Sequence, residues 1–472
     1  MLNAHSCDVM NDVRRQAYER FKTLGFPTRK EERYKYTDMQ ALFAPNYGLN
    51  LKRLPIPVNP YDAFRCDVPN LSTLLYFVVN DDPYSPARNA DTAGRNALKA
   101  RPNTGEAARS ADEERQLGGP IGKDGGAVNA GRLLPEGVVI GSLRELLPRL
   151  PADVARYYNQ LAGADNDGVT SLNTMLTQDG LLVYVPRNTV VERCVQVINI
   201  LRADVDLMVN RRVLIVMEPG AEAKLLFCDH TADDHRFLAT QVIEAFVGQG
   251  ARLDLYCMEE THAKNVRVSN VYIRQEADSS VCHNVLTLHN GITRNKLDLQ
   301  LMGQGAECSC NGCVIADKQQ HVDNNTLITH HATHCTSQEL YKYVLDEQAT
   351  GAFAGRVLVE QGAQKTESKM TNQNLCATRE ARMYTQPMLE IYADDVKCAH
   401  GSTVGQLNDA ALFYMRQRGI TQAEARMLLQ NAFINEVIDK MQLEPLRDRL
   451  HHLVEKRFRG ELNKCEGCKL CK

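Results

Sequence analysis

The spacing of apolar residues changes twice along the chain, and each change marks a different kind of structure. Over residues 8–23, apolar side chains recur at every fourth position, which predicts an amphipathic helix that Gly25 and Pro27 end. From about residue 180 to 400, apolar and polar residues alternate in short runs separated by turns, a pattern typical of β-strands. After His400 the helical period returns. The pattern therefore predicts a strand-rich core between two helical regions.

The turns of the strand-rich region repeat at a nearly constant interval. Gly220, Gly250 and Gly305 each precede an alanine, and Ala277-Asp278 takes the corresponding place between the last two. These positions lie 27 to 30 residues apart. Repeats of this length indicate stacked units, and a repeat without helices suits a β-helix whose turns bury a continuous core. A β-sandwich stays the alternative on pattern alone, because it also has short strands with regular turns.

Two segments before the strands differ from their surroundings. Residues 85–131 are rich in Ala, Gly, Arg and Asp and nearly free of large apolar residues, which predicts a disordered insertion. A helical pattern returns over 143–161. The predicted divisions are a mixed N-terminal domain over 1–84, the insertion over 85–131, a helical continuation over 132–175, a β-helix core over 176–405, a helical C-terminal domain over 406–460 and a cysteine-rich tail over 461–472.

Two helices are predicted in the C-terminal domain. Asp409 is expected to cap the first helix and Gly419 to end it, while Thr421 and Glu424 form a capping box for the second. Their apolar residues form one stripe, which is more typical of a packed core than of a partner surface. The residues of this stripe that a partner could contact are Leu412, Phe413, Met427 and Leu428.

Composition argues against nucleic-acid binding, membrane insertion and secretion. The 55 basic and 58 acidic residues nearly balance, and no basic block suggests nucleic acid. No apolar run approaches the roughly 18 residues that a membrane helix needs, and the N-terminal residues lack the apolar core of a secretory signal. The 15 scattered cysteines fit reduced thiols. These features predict a cytoplasmic protein that binds neither nucleic acid nor membrane.

The sequence gives little support to catalysis. It contains no P-loop motif, no G-x-S-x-G and no H-E-x-x-H. A β-helix polysaccharide lyase or esterase would be expected to stack sugars on aromatic rings, and the chain has no Trp. We therefore expect that the protein is not an enzyme.

Cys398 and His400 form the strongest candidate site. They stand two residues apart in an extended segment before the C-terminal helices, so both side chains point to the same face of a strand. Thiolate and imidazole are ligands of transition metals and iron–sulfur clusters, but two ligands do not close such a site. Other ligands would have to come from elsewhere. The alternative is that both side chains only pack and form hydrogen bonds.

Two internal groups of Cys and His are interpreted as structural. The first group lies on a predicted strand and the turn after it, where small side chains would fill the interior of a narrow β-helix. In the second group, alternation predicts His330 and His334 on one strand face and His331 on the other, with a structural or surface role. The first group comprises Cys308, Cys310 and Cys313, and the second adds Cys335 to the three histidines.

The cysteines of the C-terminal tail have a spacing that is more typical of metal ligands than that of the internal groups. Cys465, Cys468 and Cys471 form two consecutive C-x-x-C steps, similar to the first three ligands of a bacterial ferredoxin motif. We expect this tail to bind iron, zinc or a cluster with one more ligand from a partner or from elsewhere in the chain. The alternative is a frayed terminus whose cysteines have no ligand role.

Four segments resemble the SufD family of iron–sulfur cluster assembly proteins. They are long and occur in order, and the last contains the run Lys-Cys-x-His-Gly, which differs from the usual sequence of the sister family SufB. The resemblance covers most of the chain outside about 85–131 and the last dozen residues. The segments are 24–38, 171–186, 322–375 and 390–420.

The resemblance implies both a fold and a function. The fold would be mainly β, a right-handed parallel β-helix flanked by an N-terminal α/β domain and C-terminal helices. The function would be that of a scaffold subunit, which pairs with SufB through the β-helix and holds the SufC ATPase on its C-terminal helices. Cys398 and His400 would contribute to a cluster site shared with SufB. No tightly bound cofactor is expected: the iron–sulfur cluster would be transient, and ATP would act only through SufC.

The main alternative is a homodimeric β-helix protein with a structural role and no metal. Copurification of SufB and SufC with the chain would separate the two hypotheses.

Overall fold

The computed structural model of the protein describes residues 2–51, 60, 73–84 and 134–461. The predicted insertion over 85–131 lies outside these residues, and so do Cys465, Cys468 and Cys471 of the tail. The hypotheses on both segments stay predictions.

Strands dominate the described part of the chain. They are β1 Gly48–Leu49, β2 Thr73–Val79, β3 Asp82–Pro83, β4 Val139–Ser142, β5 Leu181–Val185, β6 Cys194–Leu201, β7 Leu207–Met217, β8 Glu222–Thr231, β9 Phe237–Val247, β10 Arg252–Glu260, β11 Val266–Gln275, β12 Ser280–His289, β13 Ile292–Leu301, β14 Glu307–Ala316, β15 His321–His330, β16 Thr336–Leu345, β17 Thr350–Val359, β18 Glu367–Cys376, β19 Arg382–Ile391 and β20 Lys397–Gly405.

Helices lie before and after this run of strands. They are α1 Asp8–Leu24, α2 Met39–Phe43, α3 Leu143–Leu146, α4 Ala152–Ala155, α5 Gln160–Ala164, α6 Gly168–Leu176, α7 Asp409–Gln417, α8 Gln422–Ile438 and α9 Glu444–Phe458, with short 3-10 helices at Leu2–His5, Glu32–Tyr34 and Leu147–Arg149. None of the described helices is long and apolar enough to cross a membrane.

The strands form two sheets that share one core. Sheet A has the order β19-β17-β15-β13-β11-β9-β7-β5-β4, and sheet B has the order β20-β18-β16-β14-β12-β10-β8-β6-β2-β3. From β5 onward, consecutive strands of the chain alternate between the sheets, and neighbours within a sheet are parallel. The protein is therefore a parallel β-solenoid of about eight turns. This confirms the predicted mainly-β, parallel β-helix core; its right-handed sense stays a prediction.

The repeated turns are corners of the solenoid. At each of them the backbone φ is in the left-handed region, which glycine adopts without strain and Asp tolerates. The backbone N–H of Gly250 donates a 2.9 Å hydrogen bond to the carbonyl of Ala277 one turn later. The interval in the sequence is thus one full turn of the solenoid. The φ angles are 71° at Gly220, 65° at Gly250, 56° at Asp278 and 71° at Gly305.

The N-terminal elements cover the outer face of sheet A. Met10 of α1 and Leu143 of α3 pack with Leu214 and Phe246, which point outward from the sheet. Ion pairs add to this contact: the two N–H groups of Arg33 bond Asp298 at 2.5 and 3.1 Å. The covering elements hold the solenoid from one side.

The C-terminal helices α8 and α9 cover the outer face of sheet B. Ile434 and Leu450 belong to the same buried cluster as Leu286 and Ile315 of the sheet. Arg457 donates a 2.6 Å hydrogen bond to the carbonyl of Leu288 and forms a 2.7 Å ion pair with Asp317, so the last helix is fixed to the solenoid by charge as well as by packing. In contrast, α7 buries none of its residues.

Local helix predictions were partly right. The helix predicted over 8–23 is confirmed as α1, followed by Gly25 at φ 64°. Thr421 caps α8 and accepts a hydrogen bond from the N–H of Glu424. The cap of α7 is Asn408, not Asp409, because the Asn408 side chain accepts from Ala411 N–H at 3.0 Å. Asp409 instead lies in the first turn, where the helix dipole favours a carboxylate.

Two other predictions need correction. The helical pattern over 143–161 is split into short helices, since Pro148 and Pro151 interrupt the hydrogen-bonding of a continuous helix. The histidine cluster does not lie on one strand: β15 ends at His330, and His334 occupies a corner with φ 60°.

Candidate functional site

The last turn of the solenoid leaves both sheets open. Among the described residues, β20 pairs only with β18, and β19 pairs only with β17. The outer edge of each strand therefore presents backbone N–H and C=O groups that could pair with a further strand. Both open edges lie at the same end of the molecule because they belong to the same turn.

Cys398 and His400 lie on β20 at this open end. Their register partners on β18 are Ser368 and Met370, and Cys398 packs against the interior cluster that contains Met370. Since side chains alternate along a strand, both candidate ligands face the interior side of the solenoid. Cys398 is half-buried and His400 is exposed. The predicted common face is thus confirmed, and the ligand role stays a prediction.

The environment of Cys398 disfavours its thiolate when the protein is alone. Burial raises the pKa of the Cys398 thiol, and the backbone N–H of Ser368 offsets only part of this effect. Because a thiol must lose its proton to bind a metal, binding here would release a proton and would weaken at low pH.

The pair alone does not make a closed site. Among the described residues, no three His, Cys, Asp or Glu side chains converge as metal ligands. Beyond His400, the hydroxyls of Thr385 on β19 and Ser402 on β20 lie 2.7 Å apart and connect the two sheets. A metal or cluster at Cys398 and His400 would therefore need ligands from outside the described part of the chain.

Apolar and aromatic side chains surround the open end. Tyr36 of the N-terminal region stacks on Tyr384 of β19, with ring centroids 5.0 Å apart. Glu32 accepts a 3.1 Å hydrogen bond from Gln386 of the same strand. Sequence reasoning missed this contact, because nothing in the pattern relates two segments about 350 residues apart. The large exposed side chains on β19, β20 and the loop between them are Tyr384, Ile391, Tyr392 and Val404.

The predicted partner-binding residues differ in exposure. Phe413 of α7 is 64% exposed and Leu428 of α8 is 39% exposed, so both can contact a partner. Leu412 is half-buried. Met427 is only 7% exposed and contributes mainly to the packing of α8. Tyr414, which the sequence analysis left out, is 59% exposed beside Phe413.

The internal cysteines and histidines occupy structural positions. Cys308 and Cys310 lie in the solenoid interior, as predicted. The prediction was wrong for Cys313, which lies on β14 and not on the turn after it, and which faces outward into the cluster below the C-terminal helices. Cys335 is buried directly after the corner residue His334. Small residues such as Ala251 and Ala306 are buried at the corresponding position of other turns. His331 forms a 2.9 Å ion pair with Glu360 when it is protonated. These placements agree with the packing interpretation.

Two family models match the chain. The first, "SUF system FeS cluster assembly, SufBD core domain", matches residues 200–433. The second, "SufBD protein N-terminal region", matches residues 1–97 and 126–197. The stretch that this second match passes over lies inside the segment predicted as an insertion.

Curated relatives agree with these matches. The chain is 28% identical over 330 residues to an iron–sulfur cluster assembly SufBD family protein of Synechocystis, covering 68% of this chain and 73% of the relative. It is 30% identical over 259 residues to the iron–sulfur cluster assembly protein SufD of Escherichia coli, covering 51% of this chain and 61% of the relative. It is 22% identical over 296 residues to SufD of Bacillus subtilis, with coverages of 62% and 68%.

Proposed function

Since the chain belongs to the SufB/SufD superfamily of iron–sulfur cluster assembly proteins and is SufD-like, we propose that it is the SufD subunit of a SufBCD complex. It acts as a scaffold and has no catalytic activity of its own. Its open solenoid end pairs with SufB, and its C-terminal helices hold the SufC ATPase. The complex works in the cytoplasm.

The observation that supports the proposal is the position of Cys398 and His400. Both lie on β20, at the end where, in the described part of the chain, the last strand of each sheet is paired on one side only. A second solenoid that adds a strand to each sheet would bring its own ligands next to this pair. The shared junction would then supply the further ligands that a nascent cluster needs and that the described residues of this chain do not provide.

The exposed surface of α7 supports the second contact. This helix buries none of its residues and presents Phe413 and Tyr414 to solvent. Aromatic side chains at such positions are frequent hot spots of protein interfaces. SufC bound there would also contact Leu412 and Leu428, and it would lie over the mostly buried Met427. Its ATP-driven movement would then reach the junction and expose the cluster site.

The cluster is cargo in this proposal and not a resident cofactor. No cofactor binds tightly to the chain, and ATP acts only through SufC. Cys465, Cys468 and Cys471 provide a further metal-binding segment whose role the junction does not require.

The alternative is a homodimer in which a second copy occupies the open end and no metal is involved. The same unpaired edges of β19 and β20 favour it, because strand addition does not distinguish a sister chain from an identical one.

Copurification separates the two functions. The full chain is tagged and coexpressed with SufB and SufC of the same organism, and the mass of the purified complex is measured. The proposal predicts a complex with both proteins, whereas a homodimer free of SufB and SufC would contradict it. Coexpression with SufB alone shows whether the solenoid contact forms without the ATPase.

A further inference from the structure

The interior of the solenoid changes from aromatic to polar at its last turn. One turn earlier, the rings of Tyr341 on β16 and Phe353 on β17 have centroids 4.8 Å apart, and both side chains are buried. Their register neighbours on the next strands are Asn372 on β18 and Thr385 on β19. Ser402 on β20 follows Asn372 in the same row. Polar side chains therefore take the place of aromatic ones where the described solenoid ends.

These three polar side chains form one hydrogen-bonded group. The Thr385 hydroxyl donates to Oδ1 of Asn372 at 2.8 Å, and its oxygen lies 2.7 Å from the oxygen of the Ser402 hydroxyl. Because a hydroxyl has a single proton, Thr385 accepts in the second bond and Ser402 donates. The Ser402 oxygen is also 3.3 Å from the same Asn372 oxygen. The group thus joins β19 to β20 and both strands to β18.

Asn372 fixes this group to the rest of the solenoid. Its side chain is 0% exposed, and its amide donates to the Tyr341 carbonyl at 3.2 Å and to Oδ1 of Asn374 at 3.1 Å. The amide of Asn374 donates a 2.9 Å hydrogen bond to the Thr403 carbonyl of β20. A buried polar network whose members are all hydrogen-bonded is rigid, so it restrains β20 in addition to the strand pairing.

The network lies directly beside the candidate ligands. Cys398, His400 and Ser402 occupy alternate positions of β20, so their side chains share one face of the strand. In the described part of the chain β20 pairs with β18 alone, and most of its residues are exposed. A strand with few buried contacts opens locally at a low cost in free energy, and such opening would move both ligands. The network opposes this movement.

We propose that Asn372, Thr385 and Ser402 are positioning residues of the cluster-assembly site. They hold β20 against β19, so that the side chains of Cys398 and His400 face the junction before a partner arrives. They act through the strand and not as metal ligands. Ligands that are already in place lose less conformational freedom when the junction forms. This inference rests on the proposed function, because it assigns the network to the same pair of ligands.

The hydroxyl of Thr385 can be tested with matched variants. Thr385→Val removes the hydroxyl and both of its hydrogen bonds at nearly constant shape, whereas Thr385→Ser keeps the hydroxyl. The control is Thr403→Val, which makes the same exchange on β20 at an exposed position whose side chain faces away from Ser402.

Two quantities are measured on the full chain. Hydrogen exchange reports the local opening of β20 in the absence of partners. The rate of cluster maturation on a recipient apoprotein is measured at saturating SufB and SufC, so that the orientation of the ligands is separated from the affinity of the partners.

We expect Thr385→Val to speed the exchange of the β20 amides by about tenfold, as the loss of two neutral hydrogen bonds implies. Exchange in β16 and the unfolding temperature should stay unchanged. Maturation should slow by about threefold or more, because the ligands are less often in position. Thr385→Ser should restore both quantities, and Thr403→Val should behave as the unmodified chain.

Unchanged exchange of β20 in Thr385→Val would overturn the inference, and so would faster exchange with full maturation. A loss that Thr385→Ser does not restore, that Thr403→Val shares, or that comes with faster exchange in β16 would also overturn it. The His400→Ala variant separates this inference from the proposed function. If His400→Ala is impaired while Thr385→Val is fully active, only the positioning role is lost, whereas full maturation by His400→Ala contradicts both.

Discussion

The two candidate ligands have different surroundings, and the difference suggests different tasks. The Cys398 thiol is half-buried and its pKa is raised by burial, so in the proposed site it would ionise only when an incoming cation displaces its proton. His400 is exposed beside the buried Met370 of the neighbouring strand, and in the proposed junction it would be the ligand that a partner-bound metal meets first.

Replacing His400 should impair function without harming the fold. In His400→Ala we expect normal thermal unfolding and normal copurification with SufB, because an exposed side chain contributes little to packing. Cluster maturation on a recipient apoprotein should fall at least tenfold, since one ligand of the junction is lost. His235→Ala, which removes a partly exposed histidine at a distant corner, is the control. Full maturation by His400→Ala would exclude this residue from the mechanism.

A buried carboxylate on the outer face of sheet A should make stability pH-dependent. Burial alone would raise the pKa of Asp167, but Lys296 and the Tyr34 hydroxyl outweigh it and lower the value to about 2. A folded pKa below the unfolded value stabilises the protein above about pH 4, and this contribution is lost as pH falls toward 2. The expected size is about 2 kcal/mol.

The Asp167→Asn variant isolates this contribution. Chemical unfolding of both proteins between pH 2 and 7 should show a stability difference at neutral pH that shrinks on acidification. A difference that is constant over this range would show that Asp167 acts through packing alone.

At the scale of elements, the corners of the solenoid fix the register of every turn. At one corner of each turn a residue adopts left-handed φ, and its N–H donates a hydrogen bond to a carbonyl at the same corner one turn later. The stacked rows of side chains, including the rows that end at Cys398 and His400, follow from this constant register.

Gly305 is the corner where this requirement is testable. Its φ is 71°, and an added Cβ would lie 2.6 Å from the Oδ1 atom of Asp278. We expect Gly305→Ala to lower the free energy of unfolding by at least about 1–2 kcal/mol, because left-handed φ strains an alanine and the close contact with Asp278 adds to that strain. Gly362→Ala is the control, because nothing lies within 4 Å of its added Cβ. Equal stability of the two variants would contradict the role of the corner.

The exposed helix α7 should affect partner binding and not folding. Phe413→Ala is expected to leave the unfolding temperature unchanged and to weaken SufC binding at least tenfold, about 1.4 kcal/mol. Tyr18→Ala on α1, an aromatic residue with 48% exposure, is the control for general surface effects. Titration with labelled SufC measures the affinity of both variants. An unaltered affinity of Phe413→Ala would show that SufC binds elsewhere.

Part of this organisation was predictable from the sequence. The interval between Gly220 and Gly250 gave the length of one turn, because corners need residues that tolerate left-handed φ. The two-residue spacing of Cys398 and His400 correctly predicted that both side chains lie on the same face of a strand. The contact of Tyr36 with Tyr384 and the pairing of His400 with Met370 were not predictable, because they depend on which turns stack and how the N-terminal region folds back.

At the scale of the whole molecule, three kinds of surface are distributed around one solenoid. N-terminal elements pack on the outer face of sheet A, and α8 and α9 pack on part of the outer face of sheet B. No described strand pairs beyond the last turn, and α7 lies exposed in the chain directly after it. This arrangement permits a partner to dock at the end of the solenoid without unfolding any of the covering elements.

The central claim is that SufB completes the site at this open end, and residue-specific alkylation of cysteine tests it most directly. The full chain is treated with an alkylating reagent alone and in the presence of SufB, and mass spectrometry follows Cys398 and Cys282. Cys282 is the internal control, since it is also half-buried but lies on β12, four strands of sheet B away from the end. We predict that SufB slows the alkylation of Cys398 at least tenfold and leaves that of Cys282 unchanged. Equal rates at Cys398 with and without bound SufB would contradict the account.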